Sequence, residues 1–120
     1  MFVARADAIC QRLNTEIAKV KAKSTSLSEI ERLAPGHAAL ELSAATELAT
    51  LSPPAVLAGQ WRQLVAYRRT LAQELQLLAT VAKAKDLARV KALAVSKLSV
   101  HKKLFAVGNQ AGFKYCSQVG

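Results

Sequence analysis

Residues 57–82 read LAGQWRQLVAYRRTLAQELQLLATVA. Leu57, Trp61, Leu64, Arg68, Leu71, Leu75, Leu78 and Ala82 alternate steps of four and three without a slip. That spacing is the seam of a helix packed in a left-handed bundle, with one polar entry at Arg68. A strand would need a period of two, and the chain has few aromatic residues to build a sheet.

Working outward, the same periodicity recurs on both sides. Phe2, Ala6, Ile9, Leu13, Ile17 and Val20 form one face and predict a first helix over residues 2–23. Lys19, Lys21 and Lys23 load its last turn, where cations suit the negative end of the helix dipole. Ser24-Thr25-Ser26 ends it. Ser28 followed by Glu31 fits a capping box that opens a second helix. Pro35-Gly36 either stops this helix at Ala34 or kinks a longer one, because proline has no backbone N–H to donate. Leu40, Ala44, Leu48 and Leu51 continue the pattern up to Ser52-Pro53-Pro54, with Pro54 early in the third helix. After Lys83-Ala84-Lys85, Asp86 is placed to cap a fourth helix running from Leu87 to Ala111. Its apolar positions form a broad stripe through Val90, Leu93, Ala94, Leu98, Leu104, Phe105 and Val107. Gly112 stands where a left-handed cap belongs, with Phe113 as its hydrophobic contact.

Short links favour antiparallel neighbours, so the expected fold is all-α: one up-down-up-down four-helix bundle over residues 1–120. Its second helix is kinked or broken near Pro35. In this topology Cys10 and Cys116, the only two cysteines, lie at the same end of the bundle. A bridge between them would close the chain into a ring, stabilise it by roughly 4–5 kcal/mol and imply an oxidising compartment. Two buried free thiols are the alternative.

The charge is +9, from 17 Lys and Arg against 8 Asp and Glu, and it is uneven. Residues 83–120 hold eight of the cations and one carboxylate, which favours a polyanionic neighbour. No apolar run approaches the roughly 20 residues that span a bilayer. No signal segment precedes Phe2, so export implies one outside this sequence. There is no Gly-rich phosphate loop, nucleophile elbow or His-Glu-x-x-His, so neither catalysis nor a cofactor is expected. Helix-turn-helix spacing, zinc-finger spacing and stacking aromatics among the lysines are lacking, so specific nucleic-acid recognition is not expected.

Several residues nonetheless carry possible chemistry. His101, beside the fourth helix's apolar stripe, is a candidate metal or haem ligand, or a boundary histidine with one hydrogen bond. Helix rise places His37 roughly 10 Å further along the bundle, so a shared metal site is not expected. Arg68 suits a buried anion, or an ion pair with Glu41, Glu47 or Glu74. Phe2, Trp61, Phe105, Phe113 and Tyr115 should gather at the disulfide end. They form either a packed cap or, through Phe2, Trp61, Phe105 and Phe113, an apolar pocket. At the other end Lys19, Lys21 and Lys23 should approach Lys83, Lys85, Arg89 and Lys91, a candidate polyanion surface that Glu29 and Glu31 partly offset.

The opening Phe2-Val3-Ala4-Arg5-Ala6-Asp7-Ala8-Ile9-Cys10 and the close Gly112-Phe113-Lys114-Tyr115-Cys116 are distinctive as a pair. They resemble the FxxxADxIC helix start and GxxxC tail of a group of uncharacterised actinobacterial extracytoplasmic proteins, often lipoprotein-like. Pro53, Pro54 and Trp61 match its Pro-Pro turn and early third-helix Trp. The resemblance implies a helical bundle, a terminal disulfide and an envelope address, and no activity. The expected role is therefore a non-enzymatic extracytoplasmic binding or structural domain, with anionic envelope polymer or membrane as partner. The rivals are an intracellular basic protein binding nucleic acid non-specifically and a carrier of a small apolar ligand. The helix-three seam would serve a dimer equally well.

Overall fold

A computed structural model of the chain describes residues 1–23 and 26–118. Four helices follow one another: α1 (Phe2–Ala18), α2 (Leu27–Ala49), α3 (Ala58–Lys83) and α4 (Leu87–Gln110). A single 3-10 turn, Ala55–Leu57, leads into α3, and no strand occurs among the described residues. Two core clusters fix the up-down-up-down arrangement. One joins Phe2 to Ile17 of α1 with Ala44 and Leu48 near the end of α2, Trp61 to Leu71 of α3, Val100 and Leu104 of α4, and Phe113. The other joins Ile30 and Ala34 at the start of α2 with Val81 and Ala82 at the end of α3 and Val90 at the start of α4. The bundle measures 45 × 22 × 19 Å.

The expected bridge is present: Cys10 and Cys116 are joined, with their Cα atoms 5.1 Å apart across 106 positions of sequence.

The helix ends are set by local hydrogen bonding. α1 stops at Ala18 instead of residue 23, because the amides of Lys19 and Val20 tighten onto Glu16 and Ile17. Lys21 and Lys23 therefore lie beyond the helix. α2 begins two residues earlier than the capping box suggested: Ser26 is the cap, accepting from the Glu29 amide, and Ser28 lies inside. Ser24 and Thr25, read as the break before it, lie outside the described residues, as do Val119 and Gly120. α2 runs unbroken through Pro35. Glu31, whose carbonyl loses its helical partner to Pro35, is exposed, so the carbonyl's loss is open to compensation by solvent.

The α3–α4 connection is compact. Lys85 takes the left-handed conformation (φ 59°), and the Asp86 amide returns to the Val81 carbonyl at 2.9 Å. Asp86 then caps α4 by accepting from the Arg89 amide at 3.2 Å. One residue thus closes a Schellman turn and opens the next helix. α4 ends as expected: Gly112 is left-handed (φ 91°) and the Phe113 amide reaches the Gly108 carbonyl at 2.9 Å.

Candidate functional site

The polar interior is concentrated around Arg68, whose side chain is fully buried in the α3 seam. Its Nη2 donates to Asn14 Oδ1 (2.6 Å) and to the Gln118 carbonyl (2.9 Å). Asn14 Nδ2 in turn donates to the Tyr115 and Gln118 carbonyls. On its other side Arg68 Nη1 lies 3.7 Å from Glu41 Oε1, and Glu41 is also fully buried. Of the three candidate partners, Glu41 is the one Arg68 takes. Glu47 instead pairs with Arg12 across α1 and α2, and Glu74 accepts from Ser96. Arg68 is thus committed to holding α1, α2 and the C-terminal tail together.

Beside this pair lies a chamber of about 170 Å³. Lys21 from the α1–α2 connection, His37 and Glu41 from α2, and Lys97 and His101 from α4 line it, against an apolar wall that includes Ile30, Leu71, Leu75 and Leu78. His37 and His101 thus share one cavity, where helix rise alone had separated them. Rise measures backbone height, and the two side chains converge across the bundle. Neither oxygen of Glu41 has a hydrogen-bond partner among the described residues, nor does Nε2 of His101.

Burial sets the protonation of this group. It pulls both imidazoles from 6.5 to about 4, with Lys97 and Lys21 adding repulsion. At neutral pH both rings are uncharged. Burial also lowers Lys97, helped by Lys21 and opposed by Glu41 and Glu74. It raises Glu41, against the pull of Arg68 and Lys97. No cluster of three or more His, Cys, Asp or Glu side chains among the described residues is arranged to hold a metal ion.

No family model, curated protein or solved structure matches the chain.

The other sequence candidates separate. Phe2, Trp61 and Phe113 do meet, with ring centroids 5.0, 5.3 and 6.3 Å apart, and all three rings are buried. The Trp61 indole N–H is satisfied by the Leu48 carbonyl in the last turn of α2. These rings fill the end of the core. Phe105 does not join them: it is 53% exposed. At 100° per residue it sits roughly 90° around α4 from the centre of the Val90, Val100, Leu104 and Gly108 face. Leu98, 56% exposed, falls on the same outer line, and Ala94 is exposed too. The single broad stripe read from the sequence is therefore two stripes, one buried and one facing out.

The lysine surface also divides. Lys83, Lys85, Arg89 and Lys91 stand exposed around the α3–α4 turn, with Arg89 held by Asp86. Lys19 and Lys23 line a shallow groove beside Tyr115 and Gln118 of the tail. Lys21 turns to the chamber, because α1 ends before it.

Sequence reasoning passed over Asp7 as a residue with a role of its own. Its carboxylate accepts three backbone N–H bonds from the tail: Lys114 at 2.8 Å, Tyr115 at 2.9 Å and Cys116 at 3.0 Å. Asp7 is the D of the opening motif, so its signal was available. Its partners are main-chain amides, which leave no mark on side-chain identity.

Proposed function

We propose that this chain is a non-enzymatic binding domain of an oxidising, extracytoplasmic compartment, and that it lies against an anionic membrane surface through α4. The supporting observation is the outer face of that helix. Leu87, Val95, Leu98 and Phe105 are exposed along it, and Lys91 and Lys102 are exposed on the same line. From residue 87 to 110 the chain carries five Lys or Arg and no carboxylate. An apolar stripe set among cations is the pattern of a helix that rests in a lipid headgroup layer. Each such lysine contributes about 1 kcal/mol near an anionic bilayer.

Two other partners fit less well. A polyanionic polymer or nucleic acid would engage the lysines and leave Leu98 and Phe105 in water. A second copy packed stripe to stripe would bring Lys91 and Lys102 against like charges, with no carboxylate on either helix to relieve them. The Cys10–Cys116 bridge supports the oxidising address, since such bonds persist where thiols are not kept reduced. None of the helices is long and apolar enough among the described residues to cross a membrane.

The test is co-sedimentation with phosphatidylglycerol and phosphatidylcholine vesicles at low and high salt. Binding to the anionic vesicles alone is expected, weakened by salt and lowered by about tenfold or more in a Leu98→Ser, Phe105→Ser double variant. Equal binding of that variant, or a stable dimer dispersed by the same substitutions, would overturn the reading.

A further inference from the structure

The chamber beside Arg68 contains polar atoms that no hydrogen bond among the described residues satisfies. We propose that the cavity between Lys21, His37, Glu41, Lys97 and His101 binds a small oxyanion that carries a proton of its own, in the class of orthophosphate or a compact phosphate monoester.

Three features of the lining lead there. The first is charge: Lys21 and Lys97 bring two ammonium groups to the cavity, and Arg68 stands behind Glu41. Glu41 and Glu74 both act on Lys97, so Lys21, Lys97 and Arg68 face two carboxylates and one positive charge is left over. Cations held in a partly dehydrated wall are costly unless an anion meets them.

The second is polar atoms left without partners. Glu41 presents oxygens without a donor, and His101 presents an Nε2 without a partner. A fully deprotonated anion would meet Glu41 as a like charge. A hydrogen phosphate instead offers the carboxylate an O–H while its remaining oxygens accept from Lys21 and Lys97. The ligand is thus donor toward α2 and acceptor toward Lys21 and α4.

The third is size. At about 30 Å³ per water, 170 Å³ holds roughly five waters. A tetrahedral oxyanion with residual water fits within it. A metal cation suits the lining poorly, since the two lysines repel it and no suitable group of ligands is assembled.

Because both imidazoles are neutral at pH 7, an arriving anion also stabilises their protonated forms. Occupancy and proton uptake at His37 and His101 are coupled, and each favours the other.

The experiment is an NMR titration of the two imidazoles in the intact, oxidised protein at pH 6, at fixed ionic strength. Orthophosphate, methyl phosphate and sulfate are the probes. Phosphate is expected to move both ring signals and raise both midpoints. It should bind about tenfold or more tightly than sulfate, the worth of one charge-assisted hydrogen bond. A Lys97→Met variant should lose a similar factor. Tighter binding of orthophosphate assigns the free ion, and tighter binding of methyl phosphate assigns a monoester. Imidazole signals unmoved by millimolar phosphate, or sulfate bound as tightly as phosphate, would overturn the assignment. The wild-type titration decides the matter even if Lys97→Met fails to fold. No lipid is present, so the outcome is independent of the α4 surface.

Discussion

Replacing Asp7 by alanine removes one carboxylate and three hydrogen bonds, and the structure says how much that should matter. The Lys114 bond is exposed, so water replaces it at little cost. The Tyr115 and Cys116 bonds are half-buried, and hydrogen bonds to a charged acceptor are worth about 1.5–3 kcal/mol each. Taking the low end for two bonds gives a loss of about 3 kcal/mol, and a fall in Tm of about 10–15 °C for a domain of this size. Asp7→Asn keeps one oxygen and forfeits the charge, so it should lose about half as much. The assay is urea unfolding followed by circular dichroism, with and without reductant. Reduction alone should cost about 4–5 kcal/mol, because the bridge closes a loop of 106 positions. Asp7 and the bridge anchor the same segment, so their effects should not add. A loss under about 0.5 kcal/mol for Asp7→Ala in the oxidised protein would refute the reasoning. So would strict additivity with reduction.

Two further outcomes are expected. A Cβ at Gly108 would lie 2.6 Å from both Cα and Cβ of Ser117, in a tail pinned on either side. Gly108→Ala should cost about 1–3 kcal/mol of overpacking against a helix-propensity gain near 1 kcal/mol. It should therefore lower Tm when oxidised and lose that penalty once the bridge is reduced; a higher Tm in the oxidised variant would contradict this. The second outcome concerns acid. His37 and His101 titrate near 4 when folded and 6.5 when unfolded, so between those values the unfolded chain binds more protons. Stability should fall as pH drops from 6.5 toward 4. Glu41, whose carboxyl is raised, acts in the opposite sense and offsets part of this. The net loss from pH 7 to 5 should be about 2 kcal/mol after allowing for solvent at the chamber's rim. Urea unfolding of a His37→Gln, His101→Gln double variant should show a flatter pH dependence; an unchanged slope would exclude the imidazoles as its cause.

The helices, their antiparallel order and the bridge were legible because each rests on spacing along the chain, which side-chain identity records directly. The misreadings share a different cause. The broad stripe on α4 takes in Phe105 and Leu98 because a run of apolar residues does not say which side has a neighbour. Here α3 covers one face of α4 and leaves the other open. His37 and His101 were kept apart by a backbone distance that ignores how far side chains reach. Ser26 displaced Ser28 as the cap because several hydroxyls compete within one turn, and only backbone geometry chooses among them. Asp7 illustrates the hardest case, a side chain whose function is defined by amides more than a hundred positions away. Of the chamber, the residues were visible and their convergence was not.

The bridge between Cys10 and Cys116 also determines how the molecule carries load. Tension applied through the chain outside those two residues passes from one sulfur to the other and never enters the hydrogen bonds of α2, α3, α4 or the part of α1 beyond Cys10. The bundle hangs beside the line of force as a closed loop. An unfolding motor that engaged either end would meet a covalent stop, with almost the whole fold still ahead of it.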